Sequence, residues 1–240
     1  MKIAVIGQAA FGKDVLNALV NNEENVVAVL CPPDIPGRSV DPTKSAALEH
    51  QIEVFQYKRM RDKDAITEFL SLNIDLCVMA FVTDIVPDEI LEAPSSGTIQ
   101  YHPSLLPEHR GPSSINWPII QGKSKTGLTI FWPDKGLDTG PILLQKEFEI
   151  TDTDTLGSVY FGKLYPAGIE AMVEAVEMVK NGTAPRVEQD HSKATYEGWC
   201  RSGDVIIDWN KPGTEIYNLI RGSDPSPGAN TLWNKKPISL

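Results

Sequence analysis

The chain has 240 residues, 41% of them hydrophobic and 22% charged, and a chain of that length buries roughly 70% of the surface it exposes when unfolded, so a full core needs no staples. Twenty-two basic against 32 acidic side chains leave a net charge of −10, a poor footprint for gripping nucleic-acid phosphates or docking on anionic lipid. Three cysteines, Cys31, Cys77 and Cys200, make no disulfide framework, Met1 to Gly7 is too short an apolar run for a signal peptide, and no stretch approaches about 18 apolar residues. The expected setting is therefore a reduced cytoplasmic compartment without a membrane span.

In chain order, strand-like and helix-like signals alternate. Ile3 to Ile6 is a β-rich run ending at Gly7, and Phe11, Val15, Leu16, Leu19 and Val20 follow at helical spacing. Val26 to Leu30 is a second strand, stopped at Cys31-Pro32-Pro33 by a loop over 32–41. Asp41-Pro42 opens a short helix ending near His50. Glu53 to Tyr57, Ile74 to Phe81 and Gly97 to His102 read as strands, with helices at Ala65 to Leu70 and Pro87 to Leu91 between them. Beyond a loop at 103–113, Ser114 to Gln121 reads as helix, then Gly127 to Phe131 and Pro141 to Ile150 as strands flanking a Gly-rich turn. Ile169, Met172, Val173, Val176 and Val179 mark the clearest helix, with Gly182 as its stop, and Met172 and Met178 as core filler. Residues 183–203 read as a linker, Val205 to Trp209 as a strand, Glu215 to Arg221 as a helix, and the last twenty residues as polar and turn-rich. The alternation predicts an α/β fold, a Rossmann-like and mostly parallel sheet with helices on both faces. Its domain spans 1–203 with the linker, and 204–240 begins a small second domain.

Several motifs compete for function. Gly7-Gln8-Ala9-Ala10-Phe11-Gly12-Lys13-Asp14 nearly spells a P-loop, but Asp14 stands where a hydroxyl should bind magnesium. A tight strand-to-helix turn is the plainer reading. Asp138-Thr139-Gly140 matches the aspartic-protease tripeptide, yet a second copy is missing and such enzymes need two carboxylates. His50, His102, His109 and His191 show no zinc-ligand spacing, and His191 reads as a solvated linker residue. His102 differs. It closes a strand at its carboxyl end, where open α/β sheets place their ligand crevices. Gln100 and His102, two apart, project to one face while Tyr101 points away.

Taken together, Gln100-x-His102-x-Ser104-Leu105-Leu106-Pro107, Arg110-Gly111, Thr126-Gly127 and Leu137-Asp138-Thr139-Gly140-Pro141-Ile142-Leu143 resemble the folate-dependent formyltransferase family. Within it the resemblance is greatest to the N-terminal, hydrolase-type domains of 10-formyltetrahydrofolate dehydrogenases. Ser114-Ile115-Asn116-Trp117, Ala194-Thr195-Tyr196-Glu197-Gly198 and Asn218-Leu219-Ile220-Arg221-Gly222 extend it nearly end to end. The resemblance implies 10-formyltetrahydrofolate as formyl donor, no metal, and a formyl carbon between His102 and Asp138. It also implies a pterin held by the backbone of Asp84-Ile85-Val86, with Asp138 among the folate-contacting residues. Gln100 stands where the transferases usually carry Asn, which weighs against amine transfer. At Leu240 the family's second domain has barely begun, so further domains of a longer polypeptide are expected.

The chemistry fits these residue types. Attack on the amide-like formyl carbon creates an oxyanion, and the departing nitrogen needs a proton. His102 can serve either, Asp138 can orient it or accept a proton from the attacking group, and Gln100 can donate to the oxyanion. The acceptor is water, or an amine on an amino acid, a carrier-bound aminoacyl group or an amino-sugar; the acidic charge weighs against transfer RNA. A folate-binding sensor or scaffold without turnover is the non-enzymatic alternative.

Overall fold

The structure, a computed structural model, describes residues 1–234 and 236–240. Seven strands, β1 (Ile3–Gly7), β2 (Val26–Cys31), β3 (Glu53–Gln56), β4 (Leu76–Ala80), β5 (Thr98–His102), β6 (Lys125–Phe131) and β7 (Ile142–Glu149), form one sheet in the order β3-β2-β1-β4-β5-β6-β7. The pairs β1–β2, β1–β4, β2–β3 and β4–β5 are parallel, so the fold is the mostly parallel α/β sheet that the alternation predicts. β1 and β4 read as unbroken apolar runs because every residue in both is buried, as strands covered on two faces require. The chain runs outward from β1 through β2 to β3, then returns to β4 on the other side of β1. That reversal is a topological switch point, where such sheets open a crevice beyond the strand ends.

By internal packing the chain forms two compact units, each built from three stretches. The first comprises Met1–Tyr101, Ile130–Leu144 and Gly168–Glu188. Its helices include α1 (Ala9–Asn21), α2 (Pro42–Glu49), α3 (Lys63–Ser71) and the short α4 (Asp88–Leu91). α1 buries Phe11, Val15, Leu16 and Leu19, each worth roughly 1.5–3 kcal/mol of transfer free energy. Tyr101, pointing away from its neighbours on β5, packs its ring 4.5 Å from Phe11.

The turn from β1 into α1 settles the P-loop question on geometry. The Asp41 carboxylate accepts from the Ala9 backbone N–H at 3.0 and 3.1 Å and from Thr43 N–H at 2.8 Å. One carboxylate thus caps α1 and α2 together, and the helix terminus that would cradle a phosphate holds the protein's own anion. Gly7 is required here by space: a Cβ would lie 2.7 Å from the Ala80 carbonyl oxygen.

The second unit comprises His102–Thr129, Gln145–Ala167 and Gln189–Leu240. It contains α5 (Asn116–Ile120), α6 (Leu156–Val159), a π-helical turn at Tyr160–Leu164, the start of α7 (Tyr165–Lys180), α8 (Gly213–Ser223) and a hairpin of β8 (Asn230–Trp233) and β9 (Lys236–Ser239). The helix expected around Ile169 to Val179 is thus longer, because a capping box between Thr155 and Ser158 starts helical winding ahead of it. Asp154 anchors that start, accepting from Thr151 N and Oγ1, Ser158 Oγ and Lys163 Nζ at 2.6–2.9 Å. Arg221 donates to the Thr151 and Asp154 carbonyls at 2.8 and 3.0 Å, tying α8 to the same corner.

Two expectations near the C-terminus need correction. Val205 to Trp209 is not a strand; its pairing is an isolated bridge between Ile206 and Asn230, closed by Ile207 N–H to the Asn230 carbonyl at 2.8 Å and Asn230 N–H to the Val205 carbonyl at 3.0 Å, too short a ladder to make a strand. The polar, turn-rich tail contains that hairpin, carried by the β-prone Thr231, Leu232, Trp233 and Ile238, with Asn234 taking φ 49° at the turn.

Candidate active site

β5 ends on His102, whose side chain is buried at 6% exposure, while Gln100 two residues earlier is half-buried. The His102 Nε2 lies 2.9 Å from the backbone carbonyl of His109. A carbonyl only accepts, so Nε2 carries the hydrogen of the neutral imidazole and Nδ1 is its bare nitrogen. The loop after β5 folds back to deliver that carbonyl. Ser104, fully buried, donates through Oγ to the Glu108 carbonyl at 2.7 Å. Thr129 Oγ1 donates to the Ser104 carbonyl at 2.7 Å and lies 3.1 Å from the Leu106 N–H that donates to it. Gln145 donates to the Leu106 carbonyl at 2.8 Å.

The stretch read as a linker is the other half of this arrangement. Apart from one 3-10 turn at His191–Lys193, residues 183–203 form no helix or strand, yet they grip the loop closely. His109 N–H donates to Thr195 Oγ1 at 2.7 Å, Arg110 N–H to the Thr195 carbonyl at 3.0 Å, and Glu197 N–H to the Arg110 carbonyl at 3.2 Å. The Arg110 guanidinium, 1% exposed, donates twice to Gln189 Oε1, at 2.6 and 3.2 Å, and once to the Tyr196 hydroxyl. It also contacts His191 Nδ1 at 2.9 Å, so this histidine, exposed as expected, is in addition an acceptor for a buried cation. His109 Nδ1 sits 3.0 Å from Glu197 Oε1. Burial holds the His109 pKa below its ordinary value, outweighing the opposite pull of Glu197. The other Glu197 oxygen, Oε2, is buried without a hydrogen-bond partner.

Asp138 belongs to the first unit. Its turn is set by Asp134, whose Oδ1 accepts from Gly136 N–H at 2.9 Å and from the Thr139 hydroxyl. Gly140 is obligatory there, since a Cβ would fall 1.8 Å from the Trp132 carbonyl oxygen. Asp138 takes φ 54°, a region Asp tolerates better than most residues. At 8% exposure it is buried, unlike the solvated turn former its tripeptide alone suggests.

Asp84, Ile85 and Val86 divide their tasks. The Asp84 carboxylate accepts from the Met60 backbone N–H at 2.7 Å, Ile85 is 72% exposed, and Val86 is buried in the core. A cavity of about 250 Å³ opens at the carboxyl ends of β1, β2 and β4, lined by Gln8, Cys31, Tyr57, Lys58, Thr83 and Asp84 among others. A larger depression of about 650 Å³ lies by the amino end of β5 and holds none of the predicted site residues.

The thiols are poor nucleophiles. Burial, with smaller contributions from nearby carboxylates, pushes Cys31 up to about 11 and Cys200 to about 11, and burial alone pushes Cys77 to about 12. Among the described residues no group of three or more His, Cys, Asp or Glu side chains is placed to hold a metal ion, and no helix is long and apolar enough to cross a membrane.

Sequence reasoning singled out His102, Gln100 and Asp138 but passed over the roles of His109, Arg110 and Glu197. Nothing in spacing could find them, because the contacts that unite them span 79 to 88 positions.

Comparison with known proteins agrees with this architecture. Residues 1–176 match the formyl transferase family model and residues 201–240 that of the formyl transferase C-terminal domain. The human cytosolic 10-formyltetrahydrofolate dehydrogenase is 45% identical over 234 residues, which are 95% of this chain and 26% of that protein. The chain thus spans about a quarter of such relatives. Methionyl-tRNA formyltransferase of Clostridioides difficile is 37% identical, with 98% of this chain and 77% of that protein covered. Among solved structures, a sugar N-formyltransferase from Shewanella superposes over the whole chain and 96% of its own with a TM-score of 0.79 at 17% identity, a likeness of fold. HypX from Aquifex aeolicus, in complex with tetrahydrofolic acid, gives a TM-score of 0.75 at 18% identity over the whole chain and 37% of its own. The chain belongs to the formyl transferase family and carries an enzyme domain of that type.

Proposed function

We propose that this domain removes the formyl group of 10-formyltetrahydrofolate, releases tetrahydrofolate, and passes the group to water. The observation that carries the reading is His102: a buried imidazole at the carboxyl end of β5, its Nε2 committed to the His109 carbonyl, so that Nδ1 does the chemistry. The names of the relatives support the donor, since several curated relatives at 40–45% identity are 10-formyltetrahydrofolate dehydrogenases.

In this reading the water oxygen attacks the formyl carbon and loses a proton to the Asp138 carboxylate. The carbonyl oxygen becomes an oxyanion that accepts from Gln100, whose side-chain amide stands in for the shorter Asn of amine-transferring relatives. His102 as imidazolium donates its Nδ1 proton to N10 as the carbon–nitrogen bond breaks, and the products are formate and tetrahydrofolate. General acid and oxyanion assistance are each worth on the order of 10²-fold or more. The backbone at Asp84 to Val86 would receive the pterin; that the Asp84 carboxylate is already engaged by Met60 favours main-chain rather than side-chain recognition. The reading needs no metal. A domain boundary near residue 203 fits the separate matches at 1–176 and 201–240, and a cytoplasmic site of action is our reading among relatives named both cytosolic and mitochondrial.

Transfer to an amine is the second reading, favoured by the relative named as a methionyl-tRNA formyltransferase. The net charge of −10 weighs against a nucleic-acid acceptor and toward an amino acid, an aminoacyl carrier or an amino-sugar. The deciding experiment supplies donor labelled with ¹³C at the formyl carbon, with and without such amines, and follows the label by NMR. Labelled formate in the absence of amine supports hydrolysis, and a labelled formamide supports transfer. Tight folate binding with no turnover under any condition would leave a folate-binding module and refute both.

A further inference from the structure

Two residues 88 positions apart, His109 and Glu197, converge on the His102 imidazole through one carbonyl. His109, which supplies that carbonyl, is held at φ 58°. A non-glycine residue enters this region rarely and stays only when its surroundings over-determine it. Three contacts do so here. Its N–H is held by Thr195 Oγ1 at 2.7 Å, its imidazole Nδ1 by Glu197 Oε1 at 3.0 Å, and the following residue by the Thr195 carbonyl at 3.0 Å. The imidazole is buried, with 6% of its side chain exposed, and its Nε2 lies 4.0 Å from Glu108 Oε2, a carboxylate that itself pairs with Lys123 at 3.2 Å.

Glu197 is the unusual member. Its side chain is 13% exposed, one oxygen takes His109 and, at 3.3 Å, Gln121, and the other is buried without a partner. An amide would fill the same space and accept the same bond, leaving an uncharged NH2 instead of an anionic oxygen in the partnerless place of Oε2. A charged acceptor makes a shorter and roughly twofold stronger bond, so the costlier carboxylate is explained if the orientation of His109 has to be held firmly.

We propose that His109 and Glu197 are a positioning pair for His102: Glu197 fixes the His109 imidazole, which fixes the His109 carbonyl, which keeps the His102 hydrogen on Nε2 and Nδ1 turned to the reaction. The inference rests on the acid–base reading of His102 given above. The roles assigned to the pair require no contact with substrate. Loss of the Glu197 contact lets the His109 backbone leave its left-handed conformation, and the carbonyl rotates away from His102 with it.

The test reads the imidazole directly. With ¹⁵N-labelled histidine, NMR of the wild-type protein should show His102 in its neutral form as the Nε2–H tautomer. Glu197→Ala should convert it to a mixture of tautomers. It should also lower kcat for formyl release by about 10–100-fold, the scale of an ångström's misplacement, with KM for the folate within about threefold. Glu197→Gln, which keeps an accepting oxygen but not the charge, should keep the Nε2–H tautomer predominant and give a kcat between those of Glu197→Ala and the wild type. Should Glu197→Ala fail to fold, His109→Asn serves in its place, because Asn tolerates the left-handed backbone but is too short to reach Glu197. An unchanged His102 tautomer in both variants, or a loss confined to KM, would overturn the proposal. The tautomer arm needs no substrate, so a wild-type protein that releases no formyl group refutes the proposed function while leaving the positioning pair to be decided by the spectra alone.

Discussion

Removing the Asp154 carboxylate should weaken the second unit in a way that depends on pH with a calculable sign. Asp154 is 8% exposed and receives four hydrogen bonds, from Thr151 N, Thr151 Oγ1, Ser158 Oγ and Lys163 Nζ. Burial works to raise its pKa, but the bonds from Lys163, Thr151 and Ser158 outweigh it and hold the carboxyl well below the usual range. A carboxyl depressed on folding stabilises the native state fully above its unfolded pKa, near 3.9, and loses that contribution as pH falls below it. Asp154→Ala leaves the half-buried Lys163 ammonium and the Thr151 and Ser158 donors without their acceptor. The expected cost at pH 7 is about 3 kcal/mol, or roughly 6–12 °C in Tm for a chain of this size. Between pH 7 and pH 3 the gap between the two proteins should narrow by about 1.3 kcal/mol, because the unfolded wild type takes up a proton that the folded wild type still refuses. Urea unfolding followed by circular dichroism at both pH values measures the gap. A difference that stays constant, or widens toward pH 3, would show that Asp154 contributes shape rather than charge.

Three further outcomes are expected. His102→Ala should lose formyl release by about 10²–10⁴-fold while binding tetrahydrofolate nearly as wild type; turnover within about tenfold of wild type would make His102 structural. Asp138→Asn, which keeps the shape of the turn at φ 54° and removes the charge, should depress kcat by about 10²-fold or more with little change in Tm, and near-normal activity would return Asp138 to the role of a buried turn residue. Lys13→Ala should leave turnover unchanged, and calorimetry should detect no Mg-ATP binding at millimolar nucleotide, since Asp41 already occupies the α1 terminus; a measurable affinity would contradict that assignment of the cap.

The parts of the fold legible in the sequence are those whose cause is local. β1 announces itself because Ile3 to Ile6 must be apolar on both faces, and α1 because Phe11, Val15, Leu16 and Leu19 return to one stripe. The Asp41-Pro42 start of α2 is legible from capping chemistry alone, with Asp41 accepting from Thr43. That the same carboxylate also caps α1 is not, because that bond joins positions 32 apart. Val205 to Trp209 shows the complementary failure: the residues have strand character, and Val205 and Ile207 are buried on one side. A strand exists only where a ladder continues, and this segment is bridged to β8 at Asn230 alone.

The candidate site divides along the same line. Strand periodicity places Gln100 and His102 on one face, and the position of His102 at a strand end in an α/β sheet marks it as a ligand-side residue. What the imidazole can do there is decided by a carbonyl seven residues on, and the conformation of that carbonyl by a segment with neither helix nor strand 86 to 88 residues on. A stretch without periodicity, mostly polar and punctuated by Pro185, Gly198 and Gly203, reads as a linker because its hydrogen bonds run outward to another part of the chain instead of along itself. Residues 189–197 satisfy Arg110 through Gln189, His191 and Tyr196, and a buried guanidinium can exist only where such acceptors have been gathered for it. The irregular segment and the buried cation therefore require each other. The sequence shows neither, because the burial of Arg110 is itself a product of their meeting.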